Sequence, residues 1–202
     1  MYSNEEEPCP CDPAHTVPSL SFKFNSMYDL VMYKLLSNRT LVLHGEVCQD
    51  TMLTLCRQLI YLSLESKDPI YIVLNSVGGE VYSGLLIFDT IRGLVNTGIE
   101  VYVEVRGLAA SMGTILVQAA TERIATKHTR FLIHEISSWM YGKTSEVEEH
   151  AQEVKKINKM LNEIIAERSG KTADEIQALI KKKDYWMSAE EALEFGLIDT
   201  VI

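Results

Sequence analysis

The feature that most constrains the fold is the alternation of β-forming runs with helical runs along most of the chain. Pro69-Ile-Tyr-Ile-Val-Leu74 is too continuous an apolar run for a half-exposed strand, so it predicts a central, buried parallel strand. A helical segment follows from about Val81 to Thr97, and another β-forming run extends from Glu100 to Val105. This order predicts an α/β fold with right-handed crossovers and a mostly parallel sheet. Ligands of such sheets lie beyond the carboxyl ends of the strands.

The remaining elements are predicted from periodicity, caps and glycines. Further helices are expected at 26–37, 51–64, 114–120, 145–169, 172–183 and 189–195. Further strands are expected at 40–44, 122–125, 130–133 and 197–202. Gly45 is expected to end the first strand and Asp50 to cap the helix that follows it. Capping boxes are expected at Ser145 with Glu148, Thr172 with Glu175, and Ser188 with Glu191.

Composition narrows the class of protein. The 202 residues carry a net charge of −9, which argues against a general nucleic-acid binder. No apolar run reaches the roughly 18 residues that a membrane span needs, and the acidic N-terminus is unlike a secretory signal. Residues 1–20 are acidic, proline-rich and aperiodic, so we expect a flexible arm followed by a single domain at 21–202.

The four cysteines do not predict a metal site or a disulfide framework. Cys9 and Cys11 form a C-x-C in the proline-rich arm, and Cys48 and Cys56 have no second pair at metal-binding spacing. We therefore expect free thiols in a reducing compartment and no bound metal.

An octapeptide rich in small residues, Arg106-Gly-Leu-Ala-Ala-Ser-Met-Gly113, follows the third β-forming run. It places Ser111 at a strand-to-helix turn, where small neighbours admit a substrate backbone and the start of a helix offers free N–H groups. It is not the hydrolase elbow G-x-S-x-G, because Ala109 stands where the first glycine would be. On its own, the octapeptide favours a serine that caps a tightly packed helix over a nucleophile.

Three chemically suggestive segments follow the carboxyl ends of predicted strands: Gly78-Gly79, Ser111 and His134. A serine hydroxyl needs a base, and histidine suits that role because its unperturbed pKa lies near neutrality. A carboxylate must orient the imidazole, and two N–H groups must stabilise the oxyanion. Gly79 and Met112 are candidates for those two groups. The convergence predicts a site for acyl transfer.

The base and the carboxylate each have competitors in the sequence. Four other histidines fit the base role less well, since they lie in the arm, beside polar loops or on the long helix: His15, His44, His128 and His150. Considered alone, His134 at the end of an apolar strand favours a structural histidine over a base. Spacing alone does not choose among Asp184, Asp199 and Asp89 for the carboxylate, and Asp184 could simply neutralise the lysines before it.

Taken jointly, the motifs resemble the Clp protease proteolytic subunit. The motifs are Asn75-Ser-Val-Gly-Gly79, Gly107-Leu-Ala-Ala-Ser-Met-Gly113, Ile133-His134, and Asp184-Tyr-Trp-Met-Ser-Ala-Glu-Glu-Ala192 with Gly196-Leu-Ile-Asp199. The resemblance is collinear from about Tyr33 to Ile202. It implies a crotonase-like α/β fold of repeated ββα and βαβ units, with a protruding handle at about 136–169.

The resemblance also implies a Ser-His-Asp serine endopeptidase. By position, Ser111 would be the nucleophile, His134 the base and Asp184 the orienting acid. Gly79 and Met112 would supply the oxyanion N–H groups. The family's subunits form two stacked heptameric rings that enclose a chamber, and an AAA+ unfoldase that uses ATP threads unfolded chains or peptides into it. The subunit itself would need no cofactor and would be cytoplasmic, with the plastid stroma as a second location.

Several positions depart from the family's pattern. Val77 replaces the usual proline, Glu135-Ile136 replaces the usual Gln-Pro after the histidine, and Tyr185 replaces a frequent arginine that pairs between rings. Gly93 and Ile124 stand where the unfoldase-docking pocket is often aromatic. These departures keep open a non-catalytic ring subunit that assembles with an active paralogue. A crotonase-fold enzyme acting on acyl-CoA thioesters is a further alternative, but it would leave the serine, histidine and aspartate together unexplained.

Overall fold

Seven strands form one sheet. The third strand is long enough to pair with two different strands along the same edge. The computed structural model describes residues 26–202; the predicted arm, Cys9, Cys11 and His15 lie outside this range. The strands are β1 Thr40–Val47, β2 Ile70–Gly79, β3 Val101–Ala110, β4 Glu122–Ala125, β5 Arg130–Ile133, β6 Tyr185–Ser188 and β7 Thr200–Val201. The helices are α1 Met27–Ser37, α2 Gln49–Glu65, α3 Val81–Asn96, α4 Met112–Val117, α5 Thr144–Ser169, α6 Ala173–Ile180 and α7 Ala189–Phe195.

The sheet order is β1-β2-β3-β4-β7, and β5 also pairs with β3. The first half of β3 pairs with β4, and its last residues pair with β5. These pairings are parallel, and only β6 runs antiparallel, against β5. The mostly parallel sheet was predicted correctly, whereas β6 was not anticipated.

One face of the sheet carries the core, and the other is partly exposed. Ile70, Ile72 and Leu74 of β2 pack in the cluster that α2, α3 and α4 cover. On the opposite face Tyr71 is 49% exposed and stacks on Tyr102, with ring centroids 5.2 Å apart. The prediction that β2 is buried on both faces was therefore wrong, because the helices cover only one side of these central strands.

Several element boundaries differ from those predicted. Gly45 lies inside β1, where the register shifts between Gly45 and Glu46, so the strand bends and continues instead of ending. The N-cap of α2 is Cys48 and not Asp50, and Thr51 Oγ1 accepts the Cys48 N–H at 2.9 Å. Hydrogen bonds from the backbone and side chain of Thr51 lower the pKa of the Cys48 thiol.

The long helix α5 starts one residue before its predicted first residue and uses a different cap. Its N-cap is Lys143, whose N–H donates to Glu146 Oε2 at 3.0 Å, so the expected pairing of Ser145 with Glu148 is wrong. The buried residues of α5 all lie in its C-terminal half, so its N-terminal half projects away from the core. The capping boxes of α6 and α7 match the prediction, although α6 ends earlier, at Ile180, and β7 is shorter than expected. Within residues 26–202 no helix combines the length and apolar character that crossing a bilayer requires.

Candidate active site

Ser111 lies at the turn from β3 into α4, and this turn is tied to β5. The Ser111 N–H donates to the carbonyl of Leu132 at 2.9 Å. The hydroxyl of Thr114 donates to the carbonyls of Ala109 and Leu132, at 2.8 and 3.0 Å. These bonds hold the end of β3 against the end of β5, so residues just beyond both strands become neighbours.

The backbone of Ser111 has φ +54° and ψ −123°, a conformation that L-residues rarely adopt. Holding a residue there costs on the order of 1–3 kcal/mol, and such strain concentrates at functional sites. A strained serine at a strand-to-helix turn is also how the hydrolase elbow exposes its nucleophile. Met112 and Gly113 begin α4, so their N–H groups have no acceptor within the helix.

The pairing of β5 with β6 brings His134 and Asp184 next to each other. Ile133, the last residue of β5, pairs with Tyr185, the first residue of β6, in an antiparallel register. One step beyond this pair, His134 follows Ile133 and Asp184 precedes Tyr185, so the two backbones face each other at the end of the ladder. Sequence spacing could not identify this partner, because β6 was not recognised as a strand.

Four of the five predicted site residues line one cavity of about 120 Å³: Gly79, Ser111, Met112 and His134. Most of the other walls are apolar side chains, including Ile115, Leu161, Ile165 and Ile180. Asp184 is exposed and lies outside the lining, beside His134. Within the described residues 26–202, no hydrogen bond joins the side chains of Ser111, His134 and Asp184. The fold thus gathers the groups at one edge without linking them.

The two glycines at the end of β2 serve close packing. A Cβ on Gly78 would lie 2.6 Å from the Ala110 carbonyl oxygen and 2.7 Å from Ser111 Cβ, so this residue packs directly on the serine turn. A Cβ on Gly79 would overlap the carbonyl of Val47 in β1. Gly79 was predicted as a source of an oxyanion N–H group; the structure adds that the neighbouring strand leaves no room for a side chain there.

The competing carboxylates and histidines lie elsewhere. Asp89 is exposed on α3, and Asp199 is engaged by Arg123 and Arg168. His44 is exposed on β1 beside the Asn75 amide, and His128 is exposed in a loop. His150 is on the projecting half of α5. None of these residues lines the cavity that contains Ser111.

Asp199 has a structural environment. The side chain of Arg123, only 4% exposed, donates to both of its carboxylate oxygens, and Arg168 donates to Oδ2 at 3.3 Å. Burial by itself raises the pKa of the Asp199 carboxyl, but the hydrogen bonds from Arg123 and the charges of both arginines outweigh it, so the pKa lies below its usual value. This ion pair fastens β7 to β4 and leaves Asp199 unavailable to an imidazole.

One polar cluster beside the site was not predicted as functional. Glu135, Asn158, Asn162 and Gln177 form a hydrogen-bonded group that connects α5 and α6 with the segment after His134. The only signal in the sequence was the unusual Glu135-Ile136 after the histidine. Among residues 26–202, no group of histidine, cysteine, aspartate and glutamate side chains has the arrangement to hold a metal ion.

Comparison with known proteins agrees with the resemblance. The family model described as Clp protease matches residues 24–202. The chain is 40% identical over 172 residues to "ATP-dependent Clp protease proteolytic subunit 2" of Treponema pallidum (strain Nichols), covering 84% of each protein.

The family match spans every strand and helix that builds the cavity. They confirm the predicted resemblance and, with it, the crotonase-like α/β fold. The general function, peptide-bond hydrolysis by a Clp-type subunit, follows from the same matches. The chain belongs to the Clp protease family.

Proposed function

We propose that this chain is the proteolytic subunit of an ATP-dependent Clp protease and hydrolyses peptide bonds as a serine endopeptidase. Ser111 is the nucleophile, His134 the general base and Asp184 the carboxylate that orients the imidazole. The observation that carries this assignment is the cavity shared by Ser111, His134, Gly79 and Met112, with Ser111 held at a positive φ. The position of Asp184 opposite His134 supports its role as the third member.

The reaction follows from these positions. His134 removes the proton from Ser111 Oγ as the oxygen attacks the scissile carbonyl carbon, and the resulting oxyanion accepts hydrogen bonds from the N–H groups of Gly79 and Met112. The tetrahedral intermediate collapses when the imidazolium protonates the leaving amine and the C–N bond breaks. His134 then removes a proton from a water molecule as its oxygen attacks the acyl carbon, and the imidazolium returns this proton to Ser111 Oγ as the ester bond breaks and the acid product leaves.

The proposal requires the hydrogen bonds of the triad to form when a substrate occupies the cavity. Catalytic hydrogen bonds in empty sites are often long and tighten only in the complex with substrate, so their absence is compatible with the mechanism. The movement needed is local, because the backbones are already adjacent at the ends of β3, β5 and β6. The apolar walls favour a peptide whose side chain at this position is apolar.

Assembly and partners are part of the same proposal. Family membership supports an oligomer that works with a Clp ATPase. We assign the oligomer as two stacked heptamers of this chain, fed with unfolded proteins or peptides by an AAA+ unfoldase that hydrolyses the ATP. The projecting half of α5, with Trp139 and Tyr141 each 85% exposed just before it, provides surface for contact between rings. The subunit needs no cofactor, and its location is the cytoplasm or, for an organellar protein, the plastid stroma.

The decisive experiment uses the full chain purified alone. We expect it to form a particle with the mass of about fourteen subunits, to hydrolyse a short fluorogenic peptide and to be labelled by a fluorophosphonate. Ser111→Ala should abolish labelling while preserving the particle mass. Labelling that persists in Ser111→Ala would contradict the assignment of the nucleophile. An assembled but unlabelled wild-type particle would instead identify a non-catalytic ring subunit.

A further inference from the structure

The hydrogen bonds of Glu135 connect the two segments that carry the imidazole and the carboxylate. Glu135 directly follows His134, and its Oε2 accepts the backbone N–H of Lys182 at 3.0 Å. Lys182 precedes Asp184 by two residues. Glu135 Oε1 accepts from Gln177 Nε2 of α6 at 2.9 Å. One half-buried carboxylate thus fixes both segments to each other and to a helix.

This contact stands where the β5–β6 ladder ends. The last paired residues are Ile133 and Tyr185, so no strand pairing holds His134 and Asp184 themselves. The hydrogen bond from Lys182 to Glu135 lies beyond His134 and Asp184, on the side away from the ladder. The two catalytic candidates are therefore bracketed by a ladder pair on one side and by a side-chain contact on the other.

Lys182 adopts a conformation that needs support from its surroundings. Its φ is +60°, in the left-handed region that costs a non-glycine residue about 1–2 kcal/mol. The hydrogen bond to Glu135 compensates part of that cost and directs the chain from α6 towards Asp184. Without this acceptor, the three residues between α6 and Asp184 would relax towards ordinary backbone conformations.

Two backbone N–H groups, those of Ile136 and Lys182, determine which side-chain atoms of the polar cluster donate and which accept. The N–H of Ile136 donates to Asn158 Oδ1 at 3.1 Å, so Asn158 presents its Nδ2 to Gln177 Oε1. Asn162, which is buried, also donates to Gln177 Oε1, at 2.9 Å. Gln177 must then offer its Nε2 to residue 135, which receives donors from both Gln177 and Lys182. The two donors reach different oxygens of residue 135, so a carboxylate accepts both bonds, whereas an amide in the same place would set its own N–H₂ against one donor.

We infer that Glu135 is a positioning residue that holds the His134 and Asp184 segments in register and couples them to α5 and α6. This inference rests on the proposed function, and it adds a residue to which no catalytic role has been assigned. The cluster defined by Glu135, Asn158, Asn162 and Gln177 reaches into α5, whose other half projects from the core.

The test exchanges the carboxylate and the amide between positions 135 and 177. Glu135→Gln conserves size but faces Lys182 and Gln177 with one acceptor, and Gln177→Glu sets two carboxylates against each other. In the double variant, which combines both substitutions, the new amide at position 135 would accept from Lys182 and donate to the new carboxylate at position 177. That carboxylate would also accept from Asn158 and Asn162, so every donor would again meet an acceptor. Glu194→Gln, an exposed position on α7, is the matched control for the loss of charge.

Three readouts are measured on the assembled particle: kcat and KM for a short peptide, the rate of fluorophosphonate labelling, and hydrogen exchange of the Lys182 amide. We expect each single variant to lower kcat and the labelling rate about ten- to a hundredfold, with KM nearly unchanged, since misplacement of catalytic groups by about 1 Å has costs of this size. Exchange at Lys182 should accelerate in parallel. The double variant should regain most of the wild-type kcat and labelling rate, with exchange at Lys182 slowed again. The control should match wild type in every readout.

The possible failures are distinguishable. A Glu135→Gln particle with faster exchange at Lys182 but unchanged kcat would overturn the positioning role. A double variant as impaired as the single ones would show that charge, and not hydrogen-bond polarity, matters at this position, and would overturn the inference in this form. If wild-type protein were itself unlabelled at Ser111, the proposed function would fail and Glu135 would have no catalytic groups to position, while the exchange data would still decide whether the contact with Lys182 exists.

Discussion

The substitution Gly78→Ala tests how closely the end of β2 supports the nucleophile turn. Gly78 has φ +89°, and an added Cβ would lie 2.6 Å from the Ala110 carbonyl oxygen, 2.7 Å from Ser111 Cβ and 3.0 Å from the Met112 nitrogen. Ordinary contact begins at 3.4 Å, so the turn must retreat by 3.4 − 2.7 = 0.7 Å at Ser111. The atoms that must move include backbone atoms on either side of the nucleophile.

Two energy terms add at this position. Placing an alanine at this φ costs about 1–2 kcal/mol, and overpacking adds about 1–3 kcal/mol. We therefore expect Gly78→Ala to destabilise the protein by about 2–5 kcal/mol. A shift of several tenths of an ångström at the nucleophile should lower kcat/KM for a short peptide about 10- to 100-fold.

Gly98→Ala is the matched control. Gly98 has φ +84°, nearly the same conformation, but a Cβ there would meet nothing within 4 Å. It should cost about 1–2 kcal/mol from backbone strain alone and leave kcat/KM unchanged. Thermal unfolding at one fixed protein concentration, since oligomer stability depends on concentration, and peptide hydrolysis measure both effects. The reasoning is refuted if Gly78→Ala is no less stable than Gly98→Ala and reacts with a fluorophosphonate at the wild-type rate.

Two further predictions concern the carboxylates. Asp184→Asn should lower kcat on the order of 10⁴-fold with an unchanged circular dichroism spectrum; an unfolded variant would make the carboxylate structural instead. Asp199→Asn should cost about 3–5 kcal/mol, because it leaves the buried Arg123 without its anion, while purified folded protein keeps wild-type kcat. Because the folded pKa of Asp199 lies below its unfolded value, its contribution is complete above about pH 4 and disappears as pH falls through the lower, folded value. Urea unfolding of both proteins between pH 7 and 3 should therefore show the difference shrinking only at the acidic end; a constant difference would contradict it.

Local sequence patterns predicted much of the architecture. The bounds of β4, β5 and α7, and the end of α5 at Ser169 before the left-handed Gly170, follow from short-range β-propensity, capping boxes and the conformational freedom of glycine. The same reasoning was wrong for Asp50 and Ser145, because several polar residues near a helix start compete for the N-cap. It was also wrong for the second face of β2, since the apolar run does not reveal where the covering helices go.

For the candidate site, too, local sequence patterns predicted one part and tertiary structure was needed for the other. A serine, two glycines and a histidine after predicted strand ends were enough to indicate one edge of the sheet. The reason is that strands joined by a helical crossover run parallel, so their carboxyl ends lie at the same edge. Spacing alone did not choose Asp184 over Asp199 and Asp89; the family resemblance did, and the antiparallel pairing of β5 with β6 gives the physical reason. The inferred role of Glu135 needed its hydrogen bonds to Lys182 and Gln177. Local patterns in the chain were therefore sufficient for the fold class and for the edge of the sheet where the chemistry lies. Why Asp184 lies beside His134 is explained only by the folded chain, because their proximity depends on pairing between segments distant along the sequence, which no local pattern encodes.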